Sequence, residues 1–354
     1  MKSLRFILLF SCIAIALGFD GLQPTPYVFP FLPYFPKMPL ANDNPVTVEG
    51  VNLGRHLFYD PILSADSSLS CSSCHQQKFA FSNSPEIFSK GREGVLMKRN
   101  TMALFNLAWY PSFFWDGRAA TIEELVFHPV REVSEMNLNW NEAALKLERN
   151  PFYKKKFATA FENQKIDSVL VAKAIGQFLR TLLSYQSKYD LVLAGKTYFT
   201  KEEYKGFVLA NDQVKGNCIN CHITDGDVLG TNLFFSNNGL DAVSSKDGFA
   251  DKGRGAVTNN SNDNGKFIVP SLRNLAFSAP YMHDGRFSSL DEVIEFYSTG
   301  IKKSVTIDSK IRDVHQGGMQ LTTDEKRELK AFLLTLSDSA FIQNKAYSNP
   351  FFLK

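Results

Sequence analysis

Two pentapeptides of one pattern, residues 71–75 (CSSCH) and 218–222 (CINCH), constrain this chain more than any other feature. In a Cys-x-x-Cys-His run the two thiols are spaced to add to the two vinyl groups of one haem, and the histidine that follows can ligate the iron. A zinc site built from two Cys-x-x-Cys halves needs no histidine after either half. A redox Cys-x-x-Cys run belongs in a βαβ context, which neither pentapeptide has. The sequence therefore predicts two covalently bound haem c groups, held by Cys71, Cys74, His75, Cys218, Cys221 and His222.

The length of 354 residues and the separation of the two motifs predict two domains with one haem each. We expect a mostly α fold of two cytochrome c-like haem domains, at 45–196 and 197–340, with long loops and little strand. A Pro- and aromatic-rich arm at 19–44 precedes them, and a tail at 341–354 follows. The net charge of +3 gives no support for nucleic-acid binding.

The amino terminus resembles an export signal over residues 1–18. Lys2 and Arg5 precede an apolar run at 6–17, and small residues follow it. The run is short for a membrane span, so we expect no transmembrane segment after cleavage. Together with covalent haem, the signal predicts the periplasm. Cys12 lies inside this signal, where it is either a small apolar residue that is removed or the site of a lipid anchor.

Hydrophobic periodicity and helix-start signals predict a series of helices. The clearest is 166–183, and the others are 51–59, 121–127, 142–147, 152–161, 201–210, 289–298 and one that follows Thr322. Residues 191–198 are expected to be a connector, and the polar stretch 239–266 a surface loop. The six prolines of the arm exclude regular helix there, so we expect an extended segment packed on a domain surface.

Several further runs, together with the two haem motifs, resemble the bacterial di-haem cytochrome c peroxidases and the related MauG enzymes over roughly residues 40–338. They are LGR at 53–55, LFYD at 57–60, RN at 99–100, FWDGR at 114–118, EM at 135–136, PSLRN at 270–274 and APYMHDGR at 279–286. The resemblance implies a peroxidatic haem in the first domain and an electron-transfer haem in the second. It also implies hydrogen peroxide as substrate and a small c-type cytochrome or cupredoxin as electron donor, and it leaves a homodimer open.

The resemblance assigns roles to two residues of the first domain. Glu135 matches the family's acid/base, which moves a proton between the peroxide oxygens; by itself the residue would pass for a surface carboxylate that caps a helix. Trp115 matches the tryptophan that lies between the haems and relays electrons, although a core aromatic would look the same in sequence.

The chain departs from the family at two places near the first haem. The family usually has a glutamine ten residues before the glutamate, where this chain has Leu125. Many family peroxidases also have a distal histidine that blocks the first iron, yet no histidine lies between His75 and His128 here. We therefore expect the first haem to be open in the fully oxidised protein, without reductive activation. His56 and His128 are conceivable ligands, but packed or solvated roles are favoured for both.

The second haem needs an axial ligand besides His222. The family peroxidases use a methionine and MauG uses a tyrosine at a position that matches Tyr297 here. A phenolate would lower the haem potential, whereas a thioether would raise it. Met282 and Met319 are the alternative ligands.

The resemblance further implies a calcium ion between the domains, with Asn100, Ser278 and Pro280 as the matching ligands. Oxygen donors from carbonyls and an amide suit this ion. Three arginines are candidates to pair with haem propionates or to order loops: Arg99, Arg118 and Arg273.

The leading prediction is a di-haem cytochrome c peroxidase that reduces hydrogen peroxide to water. The alternative enzyme is MauG-like and oxidises residues of a partner protein through a high-valent iron state, a prediction that rests on Tyr297 and the missing distal histidine. A third class, a plain electron-transfer protein, would have a blocked first haem and no role for Glu135.

Overall fold

The computed structural model describes residues 23–223, 228–312 and 317–352. The fold is mostly helical, as predicted, and none of the described helices is both long enough and apolar enough to cross a membrane. The predicted signal at 1–18, with Cys12, lies outside the described residues. The helices are α1 Val48–Tyr59, α2 Cys71–Cys74, α3 Ile122–Arg131, α4 Trp140–Arg149, α5 Pro151–Ala160, α6 Ser168–Thr181, α7 Lys188–Leu193, α8 Lys201–Asn211, α9 Arg254–Thr258, α10 Leu290–Glu295, α11 Ser309–Arg312, α12 Thr323–Thr335 and α13 Ser339–Gln343.

The first half of the chain is built on the crossing of α1 and α6. The buried stripe of α6 includes Val171, Ile175 and Phe178, which the helical periodicity predicts. The two helices meet at Gly54, where a Cβ atom would lie 1.9 Å from the carbonyl oxygen of Ala174. Only a glycine therefore allows the backbones to approach this closely.

The second half repeats this crossing with α8 and α12. A Cβ atom on Gly206 would lie 1.9 Å from the carbonyl oxygen of Glu328, and Phe332 packs beside the glycine as Phe178 does in the first half. In both halves the helix that carries the glycine precedes a Cys-x-x-Cys-His motif. The two halves thus share one scaffold around each predicted haem site.

Local sequence signals set most helix starts. Pro151 occupies the first turn of α5, where its missing N–H costs no hydrogen bond. The Ser289–Glu292 and Thr322–Glu325 pairs form capping boxes at the starts of α10 and α12, as predicted. The connector prediction at 191–198 is wrong in its first residues, because α7 begins at its own capping box and runs to Leu193.

The second half contains two short antiparallel strands, β1 Phe235–Ser236 and β2 Phe267–Ile268. They flank the polar stretch 239–266, which includes the single turn of α9. The prediction of a polar loop is confirmed for most of this stretch.

The arm and the tail both pack on the rest of the chain. Trp109 donates its indole N–H to the carbonyl of Pro36 over 3.0 Å, and Phe35 packs against the same indole. The predicted tail returns to the first half, where Phe341 and Tyr347 join the buried core. The chain end therefore helps to complete the first core.

Candidate haem sites and the region between them

The first motif lies in α2, the single helical turn Cys71–Cys74, whose start is stabilised by Ser70 and Ser73. The His75 ring donates its Nδ1–H to the carbonyl of Phe81 over 2.7 Å, since a carbonyl can only accept. With the proton on Nδ1, Nε2 is the unprotonated nitrogen that can ligate iron. Burial lowers the pKa of His75 to about 4, so the ring is neutral at physiological pH, as a metal ligand must be.

The second motif lies in a 3₁₀ turn, Cys218–Asn220, and its histidine has a similar anchor. The His222 Nδ1–H donates to the carbonyl of Pro270 over 3.0 Å, which again makes Nε2 the unprotonated nitrogen. Burial lowers the pKa of His222 to about 4 as well. The ring borders a mainly apolar cavity that is also lined by Cys218, Cys221, Leu272, Ile294, Leu329 and Leu333.

These observations show that the residues fit covalently bound haem. None of the four described thiols, at positions 71, 74, 218 and 221, forms a disulfide. Burial raises the pKa of Cys71 and Cys218 each to about 12, so both thiols are neutral. Two neutral imidazoles with an unprotonated Nε2, each beside a pair of neutral thiols, are the donor set that a haem c site requires. Each histidine is also oriented by a backbone carbonyl, which is a common arrangement for metal ligands.

Glu135 lies close to the first motif. Its negative charge is among the causes that raise the thiol pKa values of Cys71 and Cys74, although burial has the larger effect on both. Burial also raises the pKa of the Glu135 carboxyl, the charge of Glu132 raises it further, and Arg118 opposes both effects. A carboxyl group with a raised pKa is suited to accept a proton and return it.

The two described histidines considered as alternative ligands both pack against aromatic rings. His56 bonds the carbonyl of Asn52 through Nδ1 over 2.7 Å and packs against Phe152, on the outer side of α1. His128 packs edge-on against Phe114 with ring centroids 5.1 Å apart. These contacts agree with the packed roles expected from sequence. His315 lies outside the described residues.

Trp115 lies where the two halves meet. Its indole N–H donates to the carbonyl of Asn100 over 2.8 Å, and its own carbonyl accepts from the Ile268 N–H of β2 over 2.9 Å. The residue borders the cavity of the second motif. Next to it is the His283 ring, 6.5 Å away between centroids, which stacks on Phe267 at 3.7 Å. Trp115 thus belongs to the first half but faces the site of the second.

Three candidate ligands for the second haem line the same cavity as His222: Tyr297, Met282 and Met319. Tyr297 follows α10 in a turn of π-helix at 296–300, a feature that is frequent at functional sites. The amide of Asn238 donates to the Tyr297 hydroxyl over 3.1 Å and lies 3.7 Å from the Met282 sulfur. Burial raises the pKa of Tyr297 to about 12, so the free phenol is protonated in this pocket. Asn238 was missed at the sequence level, where no pattern distinguishes it from other loop asparagines.

The residues that match the family's calcium ligands also meet at this cavity, which Asn100, Ser278 and Pro280 all border. The Asn100 amide nitrogen donates to the carbonyl of Ile87 over 2.9 Å. Among the described residues, no cluster of three or more His, Cys, Asp or Glu side chains is arranged to hold a metal ion. A calcium site here would therefore rely on neutral oxygen donors.

Each of the three arginines that are candidates to pair with haem propionates has a carboxylate partner from the protein. Arg99 binds Asp116 and Asp251, and Arg118 also binds Asp116. Arg273 is fully buried and forms a bidentate pair with Asp190, with a distance of 2.9 Å from Nη1 to Oδ2. Sequence analysis missed Asp251 and Asp190 because their pairs with Arg99 and Arg273 join distant parts of the chain. These contacts favour the loop-ordering role that the sequence left open.

Comparisons with known proteins place the chain beside di-haem enzymes. The family model for di-haem cytochrome c peroxidase matches residues 48–198. The chain is 31% identical over 307 residues to the methylamine utilization protein MauG of Methylophilus methylotrophus, covering 86% of this chain and 87% of that protein. It is 30% identical over 264 residues to the cytochrome c551 peroxidase of Nitrosomonas europaea, covering 73% and 76%. A crystal structure of a MauG-like protein associated with microbial copper homeostasis superposes with a TM-score of 0.84 at 31% identity, covering 92% and 99%.

Proposed function

Because the chain belongs to the family of di-haem cytochrome c peroxidases and MauG proteins, we propose that it reduces hydrogen peroxide to water at its first haem site. The observation that carries the proposal is Glu135, a carboxyl group of raised pKa close to the first haem motif. The haem, when bound, supplies the iron at which the peroxide O–O bond is cleaved and reduced.

The side chains of the chain supply the proton chemistry and the route for electrons. Glu135 takes the proton from one peroxide oxygen and returns it to the other, which makes water the leaving group. Arg118 holds positive charge near this carboxyl and limits the rise of its pKa. Trp115 relays electrons from the second site to the first, a role supported by its place on the second cavity and its hydrogen bonds to both halves.

The test uses the fully oxidised protein, never reduced beforehand, mixed with hydrogen peroxide and a reduced small c-type cytochrome. We expect sustained oxidation of the cytochrome from the first turnover, because the family's blocking histidine is missing from the sequence between His75 and His128. Turnover only after prior reduction would contradict the open first site. No peroxide consumption under either condition would contradict the peroxidase.

A second candidate function is oxidation of residues in a partner protein, as in MauG. It is favoured by Tyr297, which matches the MauG tyrosine in sequence and lines the second cavity. It is also favoured by the structural similarity to a MauG-like protein, with a TM-score of 0.84. A long-lived oxidised state of both haems without cytochrome turnover would support this function. Phe in place of Tyr297 should then change the absorption spectrum of the second haem only, while Leu in place of Met282 or Met319 should not. The reverse pattern would assign the ligand to a methionine.

We extend the proposal to the setting of the enzyme. The family and the signal-like sequence at 1–18 support a periplasmic protein whose donor is a small cytochrome or cupredoxin. A calcium ion held by Asn100, Ser278 and Pro280 is part of the same proposal, and chelation should then alter the spectrum of the second haem, whose cavity they border. Sedimentation of the purified protein distinguishes a monomer from a homodimer.

A further inference from the structure

The turn at residues 115–117 is held at each of its carbonyls by the second half of the chain. The Ile268 N–H donates to the Trp115 carbonyl over 2.9 Å. Arg254, at the start of α9, donates from Nη1 to the carbonyls of Asp116 and Gly117 over 3.1 and 3.0 Å. Two of the three bonds come from Arg254, inside the 239–266 loop, and the third comes from Ile268, just after the loop. The position of this turn therefore depends on how that loop is docked.

Close packing fixes the same turn from the other side. Gly117 has a φ of +70°, and a Cβ atom there would lie 2.3 Å from the Phe235 ring of β1. The Arg254 guanidinium stacks over the same Phe235 ring at 4.5 Å. The second half thus approaches the turn so closely that a side chain at Gly117 would not fit.

A charged cluster ties the turn to the tip of the loop. The Arg99 guanidinium binds both carboxylate oxygens of Asp251 at 2.7 Å, and its remaining nitrogen binds Asp116 at 2.6 Å. Asp116 is 9% exposed and Arg99 is 20% exposed, so solvent screens these contacts only partly. Bidentate pairing of a guanidinium with a carboxylate also fixes the relative orientation of the two groups.

The cluster is linked directly to the indole. Arg99 precedes Asn100, whose carbonyl accepts the indole N–H of Trp115 over 2.8 Å, and Asp116 follows Trp115 in the chain. The Arg99–Asp116 ion pair therefore joins the immediate neighbours of the two residues that share this hydrogen bond. A shift of the guanidinium moves both ends of the bond.

We propose that an interdomain clasp, made of Arg99, Asp116, Asp251 and Arg254, positions the Trp115 indole and so sets the rate of electron transfer between the two haem sites. This inference rests on the proposed relay through Trp115. Asp251 and Arg254 act as positioning residues, because Asp251 acts on the indole through Arg99 and Arg254 acts through the backbone of the turn. The loop at 239–266 thereby acquires a role in the reaction.

The experiment compares Asp251→Asn with Asp247→Asn in the full-length, haem-loaded protein. Asp247 lies in the same loop but is 84% exposed and pairs with Lys252 at 3.8 Å. After rapid mixing with peroxide, the absorbance of each haem is followed separately. We expect D251N to slow electron transfer between the haems by on the order of tenfold, since small errors of position cost large factors in rate. The reaction of the first haem with peroxide should be unchanged, and D247N should behave as wild type.

Amide hydrogen exchange gives a second readout that does not depend on activity. In D251N the peptide that contains residues 113–118 should exchange faster, whereas in D247N it should not. Faster exchange with an unchanged rate of electron transfer would overturn the proposal, and so would identity of the two variants in both measurements. If D251N does not fold, Arg254→Gln is the second variant, because it removes the bonds to the turn without breaking a buried charge pair.

The Trp115→Phe variant distinguishes a failure of the clasp proposal from a failure of the proposed electron relay. If W115F slows transfer between the haems and the clasp variants do not, the clasp proposal fails and the relay stands. If W115F leaves transfer unchanged, the proposed relay through Trp115 fails, and the clasp proposal fails with it.

Discussion

The two predicted haem sites have the same motif but are held in different ways. His75 is anchored by the carbonyl of Phe81, six residues further along the chain, whereas His222 is anchored by Pro270, 48 residues further along. The first motif forms a capped α-helical turn, and the second forms a 3₁₀ turn. The first histidine is therefore anchored by local structure, and the second by a segment distant in sequence.

The scaffolds around the sites do not share this difference. Both halves rest on a pair of helices that cross at a glycine, Gly54 in the first and Gly206 in the second. The halves differ in what surrounds these helices. Several separate segments of the chain supply the candidate ligands of the second haem, the side chain that donates a hydrogen bond to one of them, and the residues matched to calcium ligands. The first motif, by contrast, lies beside one large core. A common scaffold can thus carry two sites that are built in different ways.

The largest expected effect tests whether the reaction with peroxide takes place at the first haem site alone. Glu135→Gln removes the proposed proton acceptor and should slow the reaction with peroxide by about 100- to 10,000-fold, the range for loss of a general acid/base. The absorption spectra of both haems should be unchanged. The measurement is stopped-flow mixing with hydrogen peroxide.

Glu132→Gln is the matched control, because Glu132 is an exposed carboxylate three residues earlier. It should have a small effect, since Glu132 only adds to the rise of the Glu135 pKa. A rate for E135Q close to that of wild type would remove the catalytic role.

The next effect concerns buried charge in the second half. Asp190→Asn leaves the Arg273 guanidinium buried without its anionic partner, which should lower the free energy of unfolding by about 3–5 kcal/mol. In the first half, Glu123→Gln breaks the pair with Arg180, in which Glu123 is 19% exposed, and should cost less. Urea unfolding, followed at each haem's absorption band, measures both. Equal losses of unfolding free energy in the two variants would contradict the expectation that the more deeply buried ion pair contributes more.

A smaller effect tests the shared scaffold. Gly54→Ala and Gly206→Ala each place a methyl group against the backbone of the facing helix, which should cost about 1–3 kcal/mol of unfolding free energy as overpacking does. Each substitution should disturb the spectrum of the haem in its own half. If either variant were as stable as wild type, the close approach at that crossing would be wrong.

The smallest effect is a pH dependence in the first half. Burial raises the pKa of Glu123, but the hydrogen bonds and charge of Arg180 outweigh it and leave the pKa below its ordinary value of 4.5. The carboxylate therefore stabilises the fold above about pH 4.5, and this contribution is lost as the pH falls through the lower folded-state pKa. The difference in unfolding free energy between wild type and E123Q should shrink on acidification. A difference that grows would reverse the sign of the shift.

Sequence reasoning reached the local features and missed the distant ones. The helix predicted at 201–210 is Lys201–Asn211 in the structure, because periodicity and the Thr200 cap are local signals. The two haem motifs could likewise be identified from the sequence. The Arg99–Asp251 pair joins residues 152 positions apart, and no local pattern marks either partner. For the same reason Arg273 was offered to a propionate, although Asp190 binds it.

The anchor of the second histidine has a consequence for the maturation of the protein. Synthesis delivers the chain from its amino end, so Phe81 arrives almost together with the first motif, whereas Pro270 follows the second motif much later. The first imidazole can thus be oriented while most of the chain is still to come. The second must wait until the segment around Pro270 has folded back. The two histidines are thus oriented one after the other, and the one at the site proposed for peroxide chemistry is oriented first.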